Sequence, residues 1–151
     1  MATTTAALTL SSSDLVGDAL SLSTTNTLYK VGTTTGVDQT TGMSRAYLTA
    51  TTNIDIFPTL IEGSLAFEDK TSWVYICNKS GDETEYATIT ISGNVIGRLY
   101  SGDFLWMPWS QSEDSASENY HGDIELAPSV ATGMWFEWMM VNEGTEYPTA
   151  V

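Results

Sequence analysis

The chain has 151 residues, of which 42% are apolar and 16% charged, a composition typical of one soluble domain or of a small domain with an appendage. Nineteen acidic residues against five Lys and Arg give a formal net charge of −14. Nucleic acids and anionic membranes are both bound mainly through cationic side chains, so the composition argues against these two classes of partner.

The first third of the chain differs in composition from the rest. Residues 1–60 contain sixteen Thr and six Ser, whereas all five tryptophans lie beyond residue 72. Because each buried aromatic side chain removes about 150–250 Å² from water, the second part can build a core and the first cannot. We predict an extended Thr/Ser-rich arm or β-subdomain over residues 1–52 and a β-sandwich domain over 53–151.

A short repeat occurs within the predicted arm. Ala7–Asp14 recurs twelve residues later as Ala19–Asn26, and each copy alternates apolar and hydroxyl residues. A period of two predicts strands with one face buried, each ending at a turn-forming Asp or Asn. Segments 27–31 and 45–52 also look extended, joined by a Gly/Thr-rich loop over 32–42. Low-complexity disorder is the alternative interpretation.

The second part contains six predicted strands. Four of them, separated by turn residues and a two-residue hairpin loop at Gly93-Asn94, predict a meander: Trp73–Asn78, Glu85–Ser92, Val95–Tyr100 and Phe104–Pro108. Two more are predicted at Asp123–Ala127 and Met134–Val141. No sustained helical period is present. The predicted fold class is all-β, a β-sandwich or jelly-roll-like domain with an extended N-terminal arm.

Nucleophilic catalysis has little support in the sequence. The single cysteine, Cys77, lies in an alternating strand, where a small buried hydrophobic residue is expected. The single histidine, His121, lies in a turn-like loop and is expected to face water. The N-terminus lacks a basic segment followed by an apolar one, so no signal peptide is predicted, and no apolar run reaches membrane-spanning length. We predict no catalytic residues.

Carboxylates cluster near the end of the chain. They are Glu113, Asp114, Glu118, Asp123 and Glu125. Paired acids hydrolyse glycosides when an apolar pocket holds one of them protonated, and clustered acids bind calcium. Loop acids beside Ser and Gln are usually solvated, and their spacing matches no calcium loop. We predict no metal site and no cofactor.

Large side chains point to both faces of the last strand. Trp135, Met139 and Val141 are expected on one face, with Glu137 near them. The opposite face is expected to carry Met134, Phe136, Trp138 and Met140. One set should fill the core, and the arm or another subunit should cover the other. A carbohydrate-binding module would instead stack sugars on these aromatic residues, and their exposure is the key observation for that alternative.

Two stretches of the sequence resemble small structural proteins of tailed bacteriophages, particularly marine ones. They are the opening Ala2–Ser11 and the run from Trp73 to Pro108, in which an Asn and a polar loop lead to a hairpin, a Gly-Asp turn and a strand that ends in Pro. The resemblance implies a non-enzymatic virion component, either a head decoration or cement protein or a part of the neck, tail or fibres.

We therefore predict a capsid decoration or cement protein that binds and stabilises the phage head, located in the virion and assembled in the host cytoplasm. The alternatives are a neck, tail or fibre component, a carbohydrate-binding adhesive module and, third, a glycan-cleaving enzyme. The expected partners are other virion proteins, the major capsid protein among them, and copies of the chain itself. The predicted partner-contact residues are Leu8, Leu10, Leu20, Leu22, Trp135 and Trp138.

Overall fold

The computed structural model of the chain describes residues 3–49, 51–57, 71–109 and 123–143. These residues confirm the all-β prediction, because their regular structure consists of strands. The strands are β1 (Thr5–Ser12), β2 (Leu20–Thr27), β3 (Gln39–Thr40), β4 (Ser44–Leu48), β5 (Ile54–Phe57), β6 (Ser72–Asn78), β7 (Tyr86–Ile91), β8 (Asn94–Tyr100), β9 (Phe104–Pro108), β10 (Ile124–Pro128) and β11 (Met134–Asn142).

Two antiparallel sheets form the sandwich. The five-stranded sheet has the order β3-β11-β6-β9, and β4 also pairs with β11. The short strand β3 pairs with the end of β11, at Val141 and Asn142, while β4 pairs with its first half. The four-stranded sheet has the order β5-β10-β7-β8. The chain thus contributes strands to the two sheets in alternation.

The core lies between the inner faces of the two sheets. From the five-stranded sheet, β11 contributes Phe136, which is fully buried, and Met134, which is 1% exposed. From the other sheet, Ile124 and Leu126 of β10 are fully buried. Burying one such side chain stabilises the fold by roughly 1.5–3 kcal/mol, so these alternating apolar positions hold the sheets together.

The predicted four-strand meander is wrong, although its four strands exist. Only β7 and β8 pair with each other, whereas β6 and β9 pair side by side in the other sheet. Turn residues mark where a strand ends. They do not specify whether the next strand pairs with its predecessor or crosses to the opposite sheet, which depends on the packing of distant segments.

The tight loop between β7 and β8 is shifted by one residue from the prediction. Ile91 pairs with Asn94, which leaves Ser92 and Gly93 as the loop, with φ of 50° and 75°. Positive φ at both central residues is typical of a type I′ turn. The Nδ2 of Asn94 donates to the carbonyl oxygen of Ser92 at 3.1 Å, which supports the turn from within the strand.

The two copies of the predicted repeat form a separate hairpin. β1 and β2 pair antiparallel from Thr5↔Thr27 to Ser12↔Leu20, and this two-stranded sheet shares no strand with the sandwich. Residues 39–48 of the same N-terminal region pair with β11 instead. The domain boundary near residue 52 remains a prediction, and this pairing joins part of the predicted arm to the sheet of the second domain.

The segment after the hairpin is tied to the sandwich by one buried carboxylate. Leu28 and Val37 are 4% and 0% exposed, and the amide of Val37 donates to the carbonyl oxygen of Leu28 at 2.9 Å. The Oε2 of Glu143, a buried residue, accepts hydrogen bonds from the amides of Val31 at 2.6 Å and Thr71 at 3.2 Å. This carboxylate therefore joins the segment after the hairpin to the start of β6.

Candidate partner-binding surface

The outer face of the five-stranded sheet is aromatic. The register places Tyr75 beside Trp106 and Trp135 beside Tyr47, all pointing away from the core. We define the aromatic face as Tyr47, Trp73, Tyr75, Phe104, Trp106 and Trp135. Trp135, Tyr47 and Phe104 are 44%, 47% and 54% exposed. An outer sheet face that meets only water is normally polar, so this one is suited to contact another molecule.

The aromatic side chains contact one another in pairs along the sheet. The rings of Trp73 and Trp106 are stacked, with centroids 5.5 Å apart and planes 20° from parallel. The rings of Tyr47 and Trp135 lie 5.3 Å apart and are tilted. Such pairs contribute about 0.5–1.5 kcal/mol beyond the area that they bury. The pairing holds these rings in defined positions, so the surface is formed before any partner arrives.

One cluster of charged residues lies on this side of the sheet. The carboxylate of Glu137 lies 3.6 Å from the Nε of Arg45 and 3.7 Å from the Nζ of Lys79. The guanidinium of Arg45 also lies 5.2 Å from the ring centre of Trp135. The local charge of this trio is +1, against −14 for the whole chain. The aromatic face is thus free of the excess negative charge that the rest of the chain carries.

Tyr75 is the one residue of the aromatic face with a strongly shifted pKa. Burial of its phenol, a hydrogen bond with Cys77 and the nearby charge of Glu137 raise the pKa of Tyr75 to about 12. Cys77 itself is 5% exposed, which confirms its predicted role as a small buried hydrophobic residue. The raised pKa keeps the phenol protonated even in alkaline solution, where an ordinary tyrosine ionises, so its hydroxyl remains a hydrogen-bond donor there.

The hairpin has a second apolar surface, the leucine face. Leu10 pairs with Leu22, and the alternation of side chains places Leu8 and Leu20 on the same side. The opposite side carries Thr and Ser. The four leucines are 39–43% exposed. The prediction of two alternating strands is confirmed, but the described residues do not bury either face of the hairpin.

An open cleft of about 1080 Å³ separates the base of the hairpin from the aromatic face. Ala6, Leu8 and Thr24 line it from the hairpin. The sheet side is lined by Trp73, Tyr75, Phe104, Trp106 and Met139. This volume is at the upper end of the range of ligand pockets, and its walls are mainly apolar.

The six predicted partner-contact residues occupy three different places. The leucines lie together on the hairpin, and Trp135 lies on the aromatic face. Trp138 lies on the opposite face of β11 and packs against the core cluster. The alternation predicted for β11 is confirmed, because Met134, Phe136 and Met140 are buried while Trp135 is exposed. The last strand thus divides its tryptophans between core and surface.

Five members of the aromatic face, all except Trp135, were missed as contact residues by sequence reasoning. Trp73 and Tyr75 alternate with buried Val74 and Ile76 along β6, which gives that strand apolar side chains on both faces. That pattern was visible in the sequence. Phe104 and Trp106 join them only because β9 pairs with β6, and no local signal predicts this pairing, which runs from Cys77↔Phe104 to Trp73↔Pro108.

Two of the acids singled out in the sequence, Asp123 and Glu125, lie close to a third acid, Asp55, in the structure. Carboxylate oxygens of Asp55, Asp123 and Glu125 lie within 4.8 Å of one another at the edge of the four-stranded sheet. Asp55 is exposed, and the Nδ2 of Asn53 donates to Glu125 at 2.7 Å. Glu113, Asp114, Glu118 and His121 lie outside the described residues.

Within the part of the chain that the structure describes, no helix is long and apolar enough to cross a membrane. No family model matches the sequence, and neither a curated protein nor a solved structure matches the chain significantly.

Proposed function

We propose that the chain is a non-enzymatic structural protein of a virus particle, namely a capsid decoration or cement protein of a tailed phage. In this role it binds the major capsid protein and neighbouring copies of itself, and it is assembled in the host cytoplasm. The resemblance of residues 2–11 and 73–108 to phage structural proteins supports the virion assignment. The surfaces of the sandwich support the idea that it acts by binding.

The observation that carries the proposal is the exposed aromatic face. Trp135, Tyr47 and Phe104 stand on a sheet whose other side is already packed against the core. Tyr and Trp are the residues enriched at the centres of protein interfaces, because they bury large areas and retain a polar group. A capsid surface offers a protein partner of the required extent, and binding there needs no catalytic group.

A neck, tail or fibre component is the alternative within the same class. It would use the same surfaces, and copy number distinguishes the two roles. A decoration protein occurs in hundreds of copies per particle, whereas a tail component follows the threefold or sixfold symmetry of the tail.

A carbohydrate-binding adhesive module is the second candidate function, and the exposure of three aromatic rings favours it. Sugars stack their apolar faces on exposed aromatic side chains. Trp135 is the best-placed platform because Arg45 and Glu137 offer hydrogen-bonding groups beside its ring. A glycan array probed with the purified chain tests this function. Binding that disappears in Trp135→Ala but persists in Tyr100→Ala, an exposed aromatic on the opposite sheet, would support it.

The experiment for the virion role is quantitative mass spectrometry of purified particles of the virus that encodes the chain. The amount of this protein is measured against the major capsid protein in the same sample. Hundreds of copies per particle are expected for a decoration protein, and electron microscopy with a specific antibody should label the head. Absence of the protein from particles that are washed at moderate salt would overturn the proposal.

A binding assay separates the aromatic face from other surfaces. Particles grown without the protein are incubated with purified wild-type chain or with the Trp135→Ala/Phe104→Ala double variant. We expect at least tenfold weaker decoration by this variant. The matched control, Tyr86→Ala/Tyr100→Ala, removes two aromatics from the outer face of the four-stranded sheet and should decorate normally.

A further inference from the structure

The leucine face and the cleft form one apolar surface that the described part of the chain leaves open. Leu8 belongs to both, since it lies on the leucine face and lines the cleft. Beyond it, Leu10 and Leu22 continue the same side of the hairpin toward its tip. A two-stranded hairpin that packs on nothing is marginally stable in water. This hairpin therefore gains stability from whatever covers its leucines.

Charge restricts what can cover this surface. No charged residue occurs in β1 or β2, and none of the described residues that line the cleft is charged. The acids of the hairpin, Asp14 and Asp18, lie in the loop at its tip. A partner that is selected by opposite charge needs charged groups on the surface that it binds. The described residues of this surface carry none. Two copies of a chain with a net charge of −14 repel each other, so a contact between them is least opposed where acidic side chains are absent. This surface fulfils that condition.

The exposed area fits a reversible contact between two copies. The four leucines at about 40% exposure, with Phe104 and the half-buried rings of the cleft, present on the order of 500 Å² of apolar surface per copy. Two copies together would bury on the order of 1,000 Å², which is the lower limit for a specific protein interface. The hairpin of a second copy matches the leucine face in length, because the leucine face is one side of that same hairpin.

We propose that the occupant of this surface is the β1–β2 hairpin of a second copy, related to the first by a twofold axis. Each leucine face packs against the other, and each hairpin enters the open side of the other's cleft. A twofold contact is self-complementary, so one apolar patch satisfies both partners. The inference deepens the proposed function. It rests on that function only for the place where the contact forms, because neighbouring copies on a particle are held at high effective concentration.

Sedimentation equilibrium of the purified full chain tests the contact. We expect a reversible dimer with a dissociation constant in the micromolar range. The Leu10→Glu/Leu22→Glu variant places four acids at the dimer centre and should weaken association at least tenfold. The matched control is Val95→Glu/Ile96→Glu, which adds the same charge at apolar residues of similar or greater exposure on β8. It should dimerise more strongly than the leucine variant does.

Folding is controlled separately. The Leu22→Thr variant keeps a strand-forming residue and the Ser/Thr pattern of the hairpin, so it should fold and still associate more weakly than wild type. A wild-type chain that stays monomeric up to about 1 mM, the limit of weak association, would overturn the inference. So would dimers that survive both leucine variants. In either case, detection of the protein in virions would leave the proposed function intact.

Discussion

The two outer faces of the sandwich differ although the strands behind them share one core. The five-stranded sheet carries aromatic rings on its outer face, so β6 and β11 are apolar on both sides. The four-stranded sheet carries Thr88, Arg98 and Glu125 outward and buries Ala87, Leu99 and Leu126. The second sheet also carries the ring pair Tyr86 and Tyr100 outward, but it mixes these rings with charged and hydroxyl side chains, which suits contact with water. The outer face of the first is mainly aromatic, and this contrast supports placing the proposed binding surface on that sheet.

The sharpest test of this contrast uses neighbouring residues of β11. Phe136→Ala removes a fully buried ring and should lower the free energy of unfolding by about 3–5 kcal/mol. Trp135→Ala, one residue earlier on the outer face, should cost about 0.5–1.5 kcal/mol through its contact with Tyr47. Urea unfolding of both variants measures the difference. Equal losses would mean that the outer face is part of the core.

A second test displaces the Tyr47 ring, which belongs to the aromatic face. Gly133 has φ of +102°, and a Cβ added there would lie 2.4 Å from the Cε1 of Tyr47. Gly133→Ala should therefore cost about 1–3 kcal/mol and displace the Tyr47 ring from Trp135. Gly81→Ala is the control, since an added Cβ meets nothing within 4 Å. Thermal unfolding and tryptophan fluorescence report the two effects, and similar results for both variants would contradict the prediction.

A third test loosens the hairpin from the sheet that carries the aromatic face. Glu143→Gln replaces charge-assisted hydrogen bonds to the amides of Val31 and Thr71 by neutral ones, at an expected cost of about 1 kcal/mol. Hydrogen exchange at these two amides should accelerate more than exchange in β11. Glu83→Gln, a change at an exposed acid, is the control. Uniform acceleration across the chain would point to general destabilisation instead.

The smallest effect concerns the pH dependence of the aromatic face. Burial first, then the neighbouring Cys77 thiol, raises the pKa of Tyr75 to about 12. Between the ordinary pKa of tyrosine, about 10, and this value, the folded chain binds one more proton than the unfolded chain, so stability falls as pH rises. Absorbance titration of wild type and Tyr75→Phe should show one late phenol missing in the variant. If a phenol that titrates at high pH persists in the variant, the raised pKa belongs to another tyrosine.

Much of the local structure could be predicted from the sequence. The hydroxyl–leucine alternation predicted β1 and β2, and the apolar runs bounded by Gly, Asn and Asp predicted β6 to β11 within one or two residues. The division of β11 into an inner and an outer set also followed from a period of two. These features depend on neighbours along the chain, which is why a single sequence contains them.

The arrangement of the sheets could not be predicted in the same way. The pairings of β6 with β9 and of β4 with β11 join segments that are distant in sequence. They depend on how whole strands fill the core. Similar turns precede a strand that pairs with its predecessor and a strand that crosses to the other sheet. The meander prediction failed at this point. The hairpin loop was misplaced by one residue because Ser92 adopts a positive φ that its residue type rarely takes.

The sequence by itself determined the all-β class, the strand positions and the excess of acidic side chains, since these follow from residue types and short-range periodicity. Only the tertiary structure decided which apolar residues remain uncovered. Trp135 and Trp138 are equally apolar and three residues apart, yet one lies outside and the other packs against the core. The reason is physical. Burial of an apolar side chain is favourable in free energy wherever it occurs, but only the packed fold determines whether residues of the same chain bury it.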